Sequence, residues 1–151
     1  MKYLAIIISL FFFSIQLYAQ EVKESDVPSA VVSSYNDKYT PEGKVSWTKT
    51  EEGYSASFKS QGQNVKADFT EDGKWTDTKY EVASKELPSE ITTYISTNFK
   101  DAKIKESSQR ESATEDNHYY IVLKKENVTS TAELFFDMKG NLLKNCLTIN
   151  I

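Results

Sequence analysis

The chain has 151 residues, with 18 lysines and arginines against 22 aspartates and glutamates, a formal net charge of −4. A mildly acidic chain without a basic stripe carries no electrostatic footprint for nucleic acid and none for an anionic membrane surface. Cys146 is the only cysteine and His118 the only histidine, which excludes an intramolecular disulfide and a zinc site of the usual nitrogen and sulfur donors.

Residues 1–19 open with Lys2, continue in an apolar run from Leu4 to Phe13 and end in Leu17-Tyr18-Ala19. That is the layout of a secretory signal peptide, and its apolar core of about ten residues is short of the roughly 20 that a spanning helix needs. The expectation is a periplasmic or secreted protein, cleaved after Ala19 and not inserted in the membrane afterwards.

A helix is predicted next. Val27, Val31, Tyr35 and Tyr39 recur every fourth residue, Asp26 is placed to cap, Pro28 sits in the first turn and Pro41 stops the helix. Period two then takes over, with Val45/Trp47, Tyr54/Ala56/Phe58, Val65/Ala67/Phe69 and Tyr80/Val82 as inward residues of four strands. Glu52-Gly53 and Asp72-Gly73 mark hairpin turns, where glycine accepts positive φ.

The pattern then recurs. Leu87-Pro88-Ser89-Glu90-Ile91 repeats Val27-Pro28-Ser29-Ala30-Val31, and Phe136 through Leu142 repeats Phe69 through Trp75. The second helix carries Leu87, Ile91, Ile95 and Phe99. Its strands present Ile104, Tyr119/Ile121/Leu123, Ala132/Leu134/Phe136 and Leu147/Ile149, with Lys139-Gly140-Asn141 as the last turn. The expected fold is therefore α+β: two tandem repeats, residues 20–86 and 87–151, each one helix packed on a four-stranded antiparallel β-meander. A unit of about 60 residues is marginal alone, so the two are expected to pack as one body through a tight joint at residues 83–86. The segment from Glu106 to Asn117 reads as a polar loop insertion of about six residues.

The hydrophobic-Pro-Ser helix opening, the strand meander, the Phe-x-x-x-Gly-x-hydrophobic turn and the export signal resemble the PepSY-like proteins, exported bacterial proteins described as similar to beta-lactamase-inhibitor protein. The resemblance spans Val27 to Ile149. It implies a periplasmic or secreted αβ binding module, with inhibition or regulation of peptidases as the family-level function.

No motif in the chain selects a catalytic residue. His118 reads as a surface residue at a strand start, without a spaced nucleophile and orienting acid. Five glycines stand singly at turns, so no phosphate-binding loop precedes a helix. No cofactor is indicated. Asn127-Val128-Thr129 matches a glycosylation sequon and reads as an ordinary hairpin loop. Cys146 falls on the outward side of the last strand as an inert thiol, and Trp47 and Trp75 read as packing residues. One asymmetry points to binding: Tyr120, Val122 and Phe135 take the outward phase of adjacent strands, where the matching residues of the first half are polar. The face they form is the candidate contact surface for an envelope protein or peptide. The leading expectation is a non-enzymatic, monomeric binding module. The alternatives are a small hydrolase using His118 and a self-associating structural or stress protein of the envelope.

Overall fold

A computed structural model describes residues 20–125 and 130–149; the expected signal peptide and the sequon at residues 127–129 lie outside the described residues. The elements run β1 (Gln20–Val22), α1 (Ser29–Lys38), β2 (Ser46–Lys49), β3 (Gly53–Ser60), β4 (Gln63–Thr70), β5 (Trp75–Glu81), α2 (Ser89–Asn98), β6 (Ala102–Ser112), β7 (His118–Lys125), β8 (Ser130–Asp137) and β9 (Leu142–Ile149). Short 3-10 turns at Glu24–Asp26 and Ser84–Glu86 lead into the two helices. Among the described residues no helix is long and apolar enough to cross a membrane.

All nine strands join one antiparallel sheet in sequence order, β1 to β9. This overturns the expected α+β architecture of two tandem helix-on-four-strand repeats. Among the described residues the protein is mostly β, a single nine-stranded sheet carrying two ten-residue helices. The cause lies in the segment from Glu106 to Asn117. Residues up to Ser112 are not a loop but the second half of β6, which pairs with β5 from Asp77↔Ser112 to Glu81↔Ser108. Val82 N–H extends the seam by donating to the Ser107 carbonyl at 3.0 Å, and Ser107 Oγ–H donates to the Val82 carbonyl at 2.6 Å. With those donors and acceptors satisfied, no sheet edge separates β5 from β6.

Both helices lie on the same sheet face, because the cross-strand row Val65↔Tyr80↔Gln109↔Tyr119↔Phe136 links residues packed under α1 to residues packed under α2. Under α1 the core is Val31 and Tyr35 on Trp47, Tyr54, Ala56, Phe58, Val65, Ala67 and Phe69. Under α2 it is Ile91 and Ile95 on Ile121, Leu123, Ala132, Leu134 and Phe136. Each valine, leucine, isoleucine or phenylalanine among them, fully buried, contributes about 1.5–3 kcal/mol. Between the two clusters the face turns polar: Trp75 Nε1–H donates to Thr78 Oγ1 at 2.8 Å, Tyr39 and Thr78 share a hydroxyl hydrogen bond, and Tyr80 O–H reaches Glu111 at 3.3 Å.

The helix starts work differently from the expected cap. Asp26 lies in the preceding 3-10 turn and makes no cap, while Pro28 itself occupies the N-cap position. Its carbonyl accepts from Val31 and Val32 N–H at 2.9 and 3.2 Å, and Pro88 does the same for Ile91 and Thr92. The turn glycines explain the Phe-x-x-x-Gly-x pattern. Gly73 (φ +86°) and Gly140 (φ +84°) pass under the first turns of α1 and α2, where a Cβ would sit 2.6 Å from the Ala30 carbonyl oxygen and 2.6 Å from Glu90 Cβ. Only glycine meets both the positive φ and the close approach.

Leu147 was expected inward and is instead 69% exposed. Its row partner Ala132 is buried, but among the described residues β9 is the sheet edge and no further strand closes over the leucine.

Candidate functional site: the helix-free face of the sheet

The face opposite the helices carries the residues that alternation turned outward. Register across the last strands gives three rows: Arg110↔His118↔Asp137, then Ser108↔Tyr120↔Phe135↔Lys144, then Glu106↔Val122↔Glu133↔Cys146. Tyr120, Val122 and Phe135 therefore stand together on this face, each half-buried rather than fully exposed. The Tyr120 and Phe135 rings pack at 5.1 Å between centroids, tilted by 55°, and the His118 ring lies 5.7 Å from that of Phe135.

Cations bracket the aromatic pair. The Arg110 guanidinium sits 5.2 Å from the Tyr120 ring centroid and Lys144 Nζ 5.7 Å from that of Phe135. Both contacts are favourable to the ring quadrupole. Arg110 Nε and Ser108 Oγ are buried atoms without a protein hydrogen-bond partner among the described residues. Burial, and then the Glu133 and Glu106 carboxylates, raise the pKa of the Tyr120 hydroxyl, so it stays a neutral donor throughout the physiological range.

Further along the same face the first strands are polar and acidic. Asp68 faces Asp77 directly across β4 and β5. Ser55, fully buried, donates its hydroxyl to Asp68, and Thr76 Oγ1–H donates to the Asp68 carbonyl at 3.0 Å. Desolvation pushes the Asp77 carboxyl up from its usual range; Arg110 opposes the shift and Asp68 adds to it.

His118 is buried, 8% exposed, and not a surface residue as expected from its strand-start position. Its Nδ1 lies 3.0 Å from the Asp116 carbonyl and its ring packs on Phe135. Those neighbours hold the ring as part of the aromatic cluster, with Asp137 opposite it across β7 and β8. Cys146 is half-buried, opposite Glu133.

Sequence reasoning brought Tyr120, Val122 and Phe135 to one face and missed Arg110, His118 and Lys144 around them. Arg110 lay in the segment read as a loop, and after Ile104 no apolar phase marks β6 as a strand. Lys144 is placed by a register shift between Phe135 and Phe136 that nothing local announces.

Residues 52–144 match the family model described as "Putative beta-lactamase-inhibitor-like, PepSY-like". No curated protein matches the chain. Solved structures share the fold. A BLIP-like protein from Bacteroides fragilis is similar with a TM-score of 0.71 at 17% identity, over 82% of this chain and 87% of that one. A DUF2874 family protein from Bacteroides ovatus gives 0.71 at 22% identity, over 80% and 86%. A structure from Bacteroides eggerthii described among "putative periplasmic proteins" gives 0.70 at 20%, over 80% and 88%. The family's description is of inhibitor-like rather than catalytic proteins. With more than half its length matched by the family model, the chain belongs to the PepSY-like, beta-lactamase-inhibitor-like family.

Proposed function

We propose that this is a non-enzymatic, exported binding module that docks another envelope protein or peptide on its helix-free sheet face, through Tyr120, Val122 and Phe135. The observation that carries the reading is the half-exposed Tyr120–Phe135 pair, flanked by Arg110 and Lys144 on the face turned away from α1 and α2. Aromatic residues and arginine are enriched at protein contacts, and tyrosine and arginine are among the residues that dominate their binding energy. The inhibitor-like family supports the reading. The signal-peptide pattern of residues 1–19 and the periplasmic description of the Bacteroides eggerthii relative support an exported location.

The test separates binding from folding. Affinity capture from envelope extract, with purified protein as competitor, is run on wild type, Phe135→Ser and Leu134→Ala. Phe135→Ser is expected to keep its melting transition nearly in place and to lose the competed partner. A Phe135→Ser protein that captures the same partner as efficiently as wild type overturns the proposed face.

One observation favours a second reading, self-association. The exposed large apolar residues Met138, Leu142, Leu143 and Leu147 are all on β9 or the turn before it, and β9 is an eight-residue edge strand. An edge of that kind is a template for pairing. Light scattering over a concentration series decides: a constant monomer mass removes this reading.

A further inference from the structure

A cavity of about 870 Å³ forms an open groove at the β5–β6 seam, running from the β3–β4 hairpin end to the start of β6. Its lining includes the half-buried Ile104 and atoms of Phe58, Val65 and Val82, an apolar floor. Its rim is charged, and the charges are not evenly committed.

The three rim carboxylates are all engaged within the chain. Glu42 accepts backbone N–H from Gln61 and Gly62 at 2.9 and 3.2 Å, Glu81 accepts from Asn64 Nδ2–H at 2.7 Å, and Glu106 is bridged to Lys79. Lys66 lies 3.8 Å from Asp68. Lys44, Lys59 and Lys105 are different: all three are exposed, and among the described residues none forms an ion pair. The groove therefore presents spare positive charge on a protein whose net charge is negative.

We infer that this groove takes an acidic segment of a partner protein, its carboxylates paired with Lys44, Lys59 and Lys105 and its apolar side chains laid on the floor between them. Charge complementarity selects the occupant. Three carboxylates interleaved with the lysines, on a chain of net charge −4, repel a continuous polyanion such as nucleic acid or an anionic bilayer. A peptide with separated carboxylates and intervening apolar residues meets the lysines singly and avoids the glutamates. The groove adjoins the aromatic face, since its Glu106 stands opposite Val122 across β6 and β7. The inference rests on the binding reading and adds the chemistry of the partner.

The experiment uses fluorescence anisotropy of a labelled peptide alternating glutamate and leucine. An equal-length lysine and leucine peptide, phosphatidylglycerol vesicles and polyphosphate serve as competing probes. The acidic peptide is expected to bind, more weakly as salt rises. The combined variant Lys44→Glu, Lys59→Glu and Lys105→Glu should weaken it by about tenfold or more, the scale of several surface charge pairs reversed together. The corresponding triple glutamine variant, which removes charge without adding repulsion, should give a smaller loss in the same direction. Unchanged binding by the glutamine and glutamate variants, with melting transitions intact, overturns the inference. So does tighter binding of the basic peptide, of the vesicles or of polyphosphate. Phe135→Ser keeps the lysines and should keep the probe; loss of the probe there overturns the groove as its seat. Conversely, a groove that holds the probe while Phe135→Ser still captures the envelope partner leaves the groove standing and removes the aromatic face.

Discussion

The clusters under α1 and α2 share a sheet and a helix length but are filled with different chemistry. Under α1 the centre is a tyrosine: Tyr35 meets Trp47, Phe58 and Phe69 at 5.2, 5.1 and 6.5 Å, all edge-on, with Tyr39 tilted against it at 5.6 Å. Under α2 the centre is aliphatic, Ile91 and Ile95 on Ile121, Leu123 and Leu134, with Phe136 as its one fully buried ring. Aromatic groups fill the same space with polar atoms attached, and those atoms need partners. Trp47 Nε1–H reaches Glu24 at 3.4 Å, whereas the Tyr35 hydroxyl is buried without a protein partner among the described residues. The aliphatic cluster carries no such debt, yet it ends at an open edge where Leu147 is exposed. One region is enclosed and polar-burdened; the other is simple and unfinished on one side.

The largest expected effects break the centre of each cluster. Trp47→Ala should cost roughly 3–5 kcal/mol and Leu134→Ala roughly 2–5 kcal/mol, both read by urea denaturation. If the single sheet makes the two regions one cooperative unit, each variant lowers the same transition seen by near-UV and far-UV dichroism. Two separated transitions in either variant would show that β5–β6 pairing does not couple them.

The turn glycines test the comparison at the helix starts. Gly73→Ala pushes a methyl against the backbone of Ala30, while Gly140→Ala pushes it against the side chain of Glu90. Both pay the positive-φ penalty, about 1 kcal/mol. Neither contact can turn aside, because Glu90 Cβ is fixed to its own backbone, but the new methyl of Gly73→Ala meets three Ala30 atoms within 3.1 Å and that of Gly140→Ala only one atom so close, so Gly73→Ala should lose more stability. Equal losses would mean that φ alone decides both positions.

Much of this organisation was legible in the chain. Period two at Tyr54, Ala56 and Phe58, and again at Ile121 and Leu123, marks the buried face because only one side of those strands meets a helix. The single sheet was not legible, because β6 faces the polar seam on one side and the helix-free surface on the other. Gln109 and Glu111 neighbour Tyr80 and Thr78 in that seam, so neither side of the strand calls for apolar residues. A strand that is polar on both faces reads as a loop, and its pairing with β5 is decided by backbone hydrogen bonds that carry no sequence mark. The same gap hid Arg110 beside Tyr120 and the burial of His118.

The Tyr35 hydroxyl sharpens the contrast between the clusters. Burial, with the Glu24 charge adding to it, pushes its pKa to about 12. Tyr35→Phe removes the orphaned donor and keeps every ring contact, so it should stabilise the fold by about 1 kcal/mol, the low end for a buried unpaired polar group. A loss of stability would show that the hydroxyl is satisfied in solution.

The smallest effect belongs to the helix-free face, where Asp77 stands opposite Asp68. Desolvation raises the Asp77 carboxyl above its ordinary value of 3.8, with Asp68 adding to the shift and Arg110 and His118 opposing it. A carboxyl with a raised folded-state pKa binds its proton more tightly when folded. Its contribution favours folding fully below the unfolded pKa and is lost as pH rises through the folded one. At neutral pH the ionised Asp77 is therefore a modest burden, discounted by its half-exposed position. Asp77→Asn keeps the shape and removes the charge. It should raise the melting temperature at pH 7 by about 1–3 °C, as expected for well under 1 kcal/mol in a protein of this size. The gain should shrink towards pH 3, where the wild-type carboxyl is itself protonated. Thermal melts of both proteins from pH 3 to 7 check the sign: a variant less stable than wild type at pH 7 would mean that attraction to Arg110 outweighs desolvation at this site.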